Sequence, residues 1–162
     1  MIYDAIRTSI RSGDVLAWAD KGHGRWNRFL IWLGRLGQLT PWTHVGIAWV
    51  VGDRVLVLDA VATGVRDYPL SLDLPCYLIA TGTPLTDAQL AFALSKKGQQ
   101  YSYWECFMAW LGRNDKTNEY WECAEYVAAV LDLECQSVPS AVIDHVMERG
   151  ATMTYISGPP NP

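Results

Sequence analysis

The sequence predicts one α+β domain in which a small antiparallel sheet packs against a helix carrying a cysteine. Three observations lead there. Two strand-like runs, Thr43–Val51 and Arg54–Val61, meet at Gly52-Asp53, a strong hairpin signal. Further along, Tyr120–Leu133 sets Cys123, Tyr126, Val127, Val130 and Leu131 in one apolar stripe of helical period, which points the thiol into the domain. A chain of 162 residues, 50% of them hydrophobic, is long enough for one domain with its own core and too short to expect two. The domain is expected to occupy 1–156, with 157–162 as a flexible, proline-rich tail.

Charge and cysteine usage exclude several classes. The formal charge is −4, with 13 basic residues scattered among 17 acidic ones and no basic run interleaved with aromatics, so nucleic acid is not an expected partner. Cys76, Cys106, Cys123 and Cys135 lie far apart, with neither a Cys-x-x-Cys pair nor zinc-ligand spacing. No disulfide framework, metal or other cofactor is expected. Met1–Ser12 carries polar groups throughout and lacks the apolar core of a secretory signal. The expectation is therefore a cytoplasmic protein as synthesised, with reduced thiols. Action at the cell envelope would need another delivery route.

Taken in order, Met1–Ser12 reads as a short helix or an extended arm, and Gly13-Asp14 as a turn into the buried strand Val15–Trp18. Asp20–Gly24 is a polar loop in which His23 faces water. Arg25–Leu39 is rich in tryptophan and leucine, with Arg25, Arg28 and Arg35 along one edge. Its apolar run, Phe29–Leu33, is far below the roughly 20 residues needed to span a bilayer. Two readings of 25–39 stay open: a helix packed on the core with its arginines in water, or an interfacial segment on a membrane or over a lipid-binding cleft.

The hairpin fixes a register. A two-residue loop pairs Val51 with Arg54, Ala48 with Val57, Gly46 with Asp59 and His44 with Val61. His44, Gly46, Ala48, Val50, Val55, Val57, Asp59 and Val61 then share one face, and Val45, Ile47, Trp49, Leu56 and Leu58 the other. His44 and Asp59 become diagonal neighbours about 7 Å apart at the backbone, within reach of a carboxylate-to-imidazole hydrogen bond. Gly46 and Ala48 leave space on that face, and the Cys123 helix is expected to fill it. A three-residue loop would reverse the parity and send Asp59 to the opposite side.

From Thr63 to Tyr77, Gly64, Pro69 and Pro75 interrupt the pattern, which reads as loop with one short strand; Cys76 is a small buried residue there, and Tyr77–Ala80 a core strand. Thr86, with Gln89 three residues on, caps a helix that stops at Gly98. Tyr101–Trp104 is aromatic and suits a cleft; Trp104–Leu111 reads as a helix with Cys106 in the core, and Arg113–Glu119 as a loop. After a break at Cys135–Pro139, Ser140–Arg149 forms a last helix with His145 at its surface, and Thr152–Ile156 an edge strand.

At a helix start, unpartnered N–H groups and the helix dipole favour an anion, which lowers a thiol's pKa. Glu119, Glu122 and Glu125 complement the same dipole and count mildly against that effect, although Glu122 and Glu125 turn about 100° and 200° away from Cys123. Spacing alone assigns Cys123 to core packing. The wider pattern says more. Thr-His-Val-Gly-Ile around His44, an acid fifteen positions on at Asp59, and Glu-Cys-Ala-Glu-Tyr-Val around Cys123 stand with Gly13-Asp14-Val15-Leu16, Gly98 and Tyr101. Together they resemble the circularly permuted NlpC-type, papain-like cysteine hydrolases, with the YiiX-like group as the nearest branch and lecithin retinol acyltransferase in the wider set. The resemblance spans Gly13 to about Leu131; Ala124 departs from it, since relatives often carry serine there.

The resemblance implies a permuted papain-like fold and a Cys-His-Asp triad acting through a thioacyl-enzyme. Cys123 would attack a carbonyl, His44 take and return the proton, and Asp59 orient His44, with the Cys123 backbone N–H holding the oxyanion. The expected substrate is an amide bond, foremost in a cell-wall (peptidoglycan) peptide, with Trp42, Tyr101 and Trp121 as substrate-binding residues. Two alternatives remain: an acyl-lipid hydrolase or acyltransferase using the same triad, for which 25–39 is the argument, and a non-catalytic binding module on the same fold. No Gly-x-Ser-x-Gly elbow, phosphate-cradling loop or dinucleotide fingerprint is present.

Overall fold

A computed structural model describes residues 1–19, 41–61, 63–99 and 121–158. Six strands form one antiparallel sheet: β1 Val15–Trp18, β2 His44–Val51, β3 Arg54–Val61, β4 Gly64–Pro69, β5 Cys76–Ala80 and β6 Thr152–Ile156, in the order β4-β3-β2-β1-β5-β6. The helices among the described residues are α1 Tyr3–Ile6, α2 Asp87–Ser95, α3 Cys123–Leu131 and α4 Pro139–Glu148. The architecture is α+β, with a larger sheet than the sequence suggested.

The hairpin has the expected register. Val51 pairs with Arg54, Ala48 with Val57 and Ile47 with Leu58. Gly52, at φ +62°, supplies the left-handed residue the tight turn needs. Each face of the sheet then builds its own core. Val15, Ala17, Val45, Ile47, Leu58, Ala60 and Ile79 pack with Ala93 of α2, Cys123, Tyr126, Val127 and Val130 of α3, and Val142, Ile143 and Val146 of α4. On the reverse, Leu16, Trp18, Ala48, Val55, Val57 and Leu78 lie under Tyr3, Ile6, Ile10 and Leu70.

This division corrects one expectation. The Cys123 helix does not fill the space over Gly46 and Ala48; it packs on the Val45/Ile47/Leu58 side. The reason is the area on offer, since burying a branched aliphatic side chain contributes about 1.5–3 kcal/mol, and glycine offers none. Gly46 answers instead to its neighbouring strand. A Cβ there would lie 3.0 Å from Val57 Cγ1, 3.1 Å from the Leu58 carbonyl and 3.2 Å from Asp59 Cβ.

Other boundaries differ for local reasons. The one short strand expected between Thr63 and Tyr77 is the six-residue edge strand β4, whose ends are Gly64 and Pro69. Gly64 adopts φ +105°, and proline is tolerated on an edge where its missing N–H faces no partner. Helix α2 starts at the predicted Thr86 cap, whose hydroxyl accepts from Gln89 N–H while the Gln89 side chain accepts from Thr86 N–H, but it ends at Ser95. Helix α3 begins at Cys123, three residues later than the sequence suggested, because Glu122 is extended and serves as N-cap; left-handed Asp132 closes it. Ser157 is tied to the N-terminal arm: its N–H and hydroxyl both donate to the Met1 carbonyl, and its own carbonyl accepts from Tyr3 N–H. No helix among the described residues is long and apolar enough to cross a membrane. His23, segment 25–39, Tyr101, Cys106 and the helix read at 104–111 lie outside the described residues.

Candidate active site

The hairpin brings His44 and Asp59 together on one face of β2 and β3. His44 Nε2 lies 2.8 Å from Asp59 Oδ2. Both side chains are removed from water, Asp59 completely and His44 to 8% exposure. An ionised carboxylate only accepts, so Nε2 carries the hydrogen in this pairing. Trp18, directly opposite His44 on β1, sets its ring 5.4 Å from the imidazole centroid and fixes the ring's other side.

Strand β4 supplies further partners of Asp59. Arg66 is opposite Asp59 in the register, and Tyr68, two residues on, projects from the same face. Arg66 Nε donates to Asp59 Oδ1 at 3.1 Å, and Tyr68 Oη to Oδ2 at 3.1 Å. The guanidinium also lies 4.1 Å above the Tyr68 ring. Tyr68 Oη contacts Asp73 Oδ2 as well, and the Trp18 indole N–H donates to the Asp73 carbonyl at 2.7 Å. Burial, then the charges of Asp59 and Asp73, push the Tyr68 phenol far above its ordinary range, so it stays a donor. Burial opposes the Arg66 charge, but the Asp59 carboxylate outweighs it and raises the guanidinium above its usual value.

Arg66, Tyr68, Asp73 and Trp18 were not singled out in the sequence. A signal existed: reading 64–69 as a strand would have put Arg66 and Tyr68 on one face, two residues apart. The glycine and proline at its ends disguised it.

Cys123 is the first residue of α3, nine-tenths buried and not joined in a disulfide. A chain of contacts locates this helix start. The Trp121 indole N–H donates to Gln99 Oε1 at 2.5 Å, the Gln99 carbonyl accepts from Val65 N–H at 2.9 Å, and Val65 pairs with Ala60 next to Asp59. The start of α3 therefore sits at the end of the sheet where β3 finishes and β2 begins with His44. Cys123 packs on the Val45/Ile47/Leu58 face, and His44, one residue before Val45, projects from the other face. At the first helical position the Cys123 N–H has no acceptor within its own helix. Glu122, beside it, is buried, and its N–H donates to Glu125 Oε2 at 3.5 Å.

Of the residues expected to bind substrate, Trp42 is half-buried and edge-on to Tyr77 at 5.0 Å, on the helix side of the sheet. Trp121 is wedged between Phe92 and Tyr126, each at 6.1 Å, where it joins α2 to α3. Cys76 is buried on the N-terminal side as expected. His145 is only half-buried, but its Nε2 is enclosed and has no hydrogen-bond partner.

The fold thus defines an α+β protein with a six-stranded antiparallel sheet and a buried histidine–carboxylate pair at one end. That fold is similar to the metalloprotein yiiX of Escherichia coli O157:H7, with a TM-score of 0.55 and 16% identity, covering 74% of this chain and 63% of that one. The microsomal triglyceride transfer protein homolog of Caenorhabditis elegans is 30% identical over 110 residues, 67% of this chain, and the chain spans only 12% of that relative's length. No protein-family model matches.

The metal named for yiiX has no evident seat among the described residues. Among the described residues no three His, Cys, Asp or Glu side chains converge to hold an ion, and both Asp59 oxygens already accept from His44, Arg66 and Tyr68.

Proposed function

We propose that the protein is a cysteine hydrolase in which Cys123 is the nucleophile, His44 the acid–base and Asp59 the orienting carboxylate. The observation that carries this reading is the buried 2.8 Å Nε2–Oδ2 bond, which commits one imidazole nitrogen to the carboxylate; in this reading Nδ1 is the nitrogen that exchanges the proton. The position of Cys123 at the first turn of α3, where a thiolate is favoured, supports it.

In this mechanism Nδ1 accepts the thiol proton and Sγ attacks the substrate carbonyl carbon. Negative charge gathers on the carbonyl oxygen, where the Cys123 N–H stabilises it. Collapse breaks the C–N bond, and the imidazolium returns its proton to the departing amine. Water, deprotonated by the same nitrogen, then hydrolyses the thioester and restores the thiol. Sγ must meet the ring around the N-terminal end of β2, the one place where side chains from the two faces can approach. An amide in a cell-wall peptide is the first substrate class, on the motif resemblance described above. A second reading, hydrolysis or transfer of a lipid acyl group, draws support for a lipid substrate, though not for acyl chemistry, from the similarity over 110 residues to a triglyceride transfer protein homolog.

Native protein is treated with iodoacetamide at neutral pH, and labelling at Cys123 is followed by peptide mapping for wild type and His44→Ala. Labelling well above that of an ordinary exposed thiol, lost in His44→Ala, is the expected result. Labelling no faster than such a thiol, or unchanged in the variant, would remove the nucleophile from the reading. Incubation with purified peptidoglycan and with phospholipid vesicles, each against Cys123→Ala, then separates the two substrate classes.

A further inference from the structure

The carboxylate beside His44 does not belong to His44 alone. Asp59 is fully buried, and among the described residues its oxygens meet the imidazole, the Arg66 guanidinium and the Tyr68 phenol, whose single hydrogen is shared with Asp73. A carboxylate given only to a histidine would bind the ring's second proton strongly, because the imidazolium would be its sole counter-charge. Here a permanent cation already stands 3.1 Å from Oδ1. Arg66 therefore neutralises Asp59 before the ring does, and it also repels an imidazolium.

The other described charged or titratable groups around the pair do not supply this balance. Asp73 meets the phenol of Tyr68 rather than the ring, and Tyr126 of α3 is held protonated by burial, with the Asp59 charge adding to the effect. Trp18 contributes an uncharged ring.

We propose that Arg66, with Tyr68, is a positioning residue that divides the charge of Asp59 and so keeps His44 able to exist as the neutral base that accepts a thiol proton. The proposal deepens the hydrolase reading and rests on it for its catalytic meaning, but the charge division itself is measured without any substrate. Arg66 acts through Asp59, on the far side of the carboxylate from the imidazole. Its side chain is 41% exposed, so its removal leaves no large cavity.

The test is a pH titration of the imidazole Cε1–H resonances by NMR on the whole chain. Its three histidines are assigned with His44→Gln. In Arg66→Gln the His44 midpoint is expected to rise by about one unit, because both the competition for Asp59 and the repulsion are gone. Arg66→Lys, which restores charge without the planar fork, is expected to return most of that shift. Tyr68→Phe removes a neutral donor from Oδ2 and moves the midpoint in the same direction by less. A midpoint that stays in place in folded Arg66→Gln overturns the proposal. So does an Arg66→Lys profile identical to Arg66→Gln, which would make the role one of packing. These outcomes are independent of Cys123 labelling, so an inert thiol refutes the hydrolase reading and an unmoved titration refutes the charge division.

Discussion

Replacing Asp59 by asparagine keeps the shape of the side chain and changes only what it accepts, which makes its cost calculable. The carboxylate receives His44 Nε2 at 2.8 Å on Oδ2 and Arg66 Nε at 3.1 Å on Oδ1. An amide has one acceptor oxygen and one NH₂ group. If the oxygen stays with His44, the NH₂ faces the guanidinium, donor to donor; if it turns, Nε2 must accept from the NH₂ and the ring is held in the opposite tautomer, so either way the charge-assisted bond to His44 is lost or weakened. A hydrogen bond to a charged group contributes about 1.5–3 kcal/mol, and the pairing to His44 counts at full weight because both groups are buried. The Arg66 side is discounted to under about 1 kcal/mol, since 41% of that side chain is exposed and solvent can replace the lost partner. The sum is about 3 kcal/mol. For a chain of this length each kcal/mol moves the midpoint by about 2–4 °C, so Asp59→Asn should melt roughly 6–12 °C below wild type. Thermal unfolding followed by circular dichroism at pH 7 and 0.15 M salt measures it. A loss under about 2 °C would refute the reasoning, because it would mean that the buried carboxylate is not the acceptor holding β2, β3 and β4 together at this end.

Gly46→Ala puts a methyl carbon 3.0–3.2 Å from Val57, the Leu58 carbonyl and Asp59 Cβ. Two of these contacts are to strand β3 itself or to the first side-chain carbon, which cannot swing away, so a loss of about 1–3 kcal/mol is expected in denaturant titration, and an unchanged midpoint would contradict it. Asp14 tests the sign of a pH effect. Burial raises its pKa above 3.8, while the N–H groups of Arg11 and Thr81 pull partly back. A carboxyl with a raised native pKa holds its proton more tightly when folded, so the stability it contributes is largest below 3.8 and declines as pH rises through the folded value. Asp14→Asn has no such titration, so the wild-type melting temperature minus that of the variant should fall between pH 3.5 and neutrality; a rise over that interval would reverse the assigned direction.

The His44–Asp59 pair was legible because a two-residue turn fixes the parity of both strands, and parity alone decides which side chains share a face. Its supporting residues were not. Gly64 and Pro69 are breakers by type, and only the pairing of β4 with β3 shows that they bound the strand instead of interrupting it. The start of α3 was placed three residues early for a related reason: glutamate is an uncommon N-cap, and the cap at Glu122 shows only in its extended backbone. The side of the sheet chosen by α3 was readable in principle. Val45 and Ile47 outweigh Gly46 and Ala48 in apolar area, but small residues were read as space for a helix when they are space for the adjacent strand.

That reversal changes what the candidate site requires. Side chains on opposite faces of a sheet are separated by the sheet itself, and layers pack about 10 Å apart. Groups from two faces can meet only where the strand ends and its backbone no longer stands between them. His44 is the first residue of β2 and Cys123 the first residue of α3, so each occupies the terminal position of its element. One turn further along α3, Val127 is sealed in the core, and two residues further along β2, Gly46 is pressed against β3. Neither position could bring a thiol and an imidazole together. The chemistry proposed for this chain therefore belongs to the rim of the sheet, where Trp18, Arg66 and Tyr68 hold the imidazole and carboxylate in place from behind.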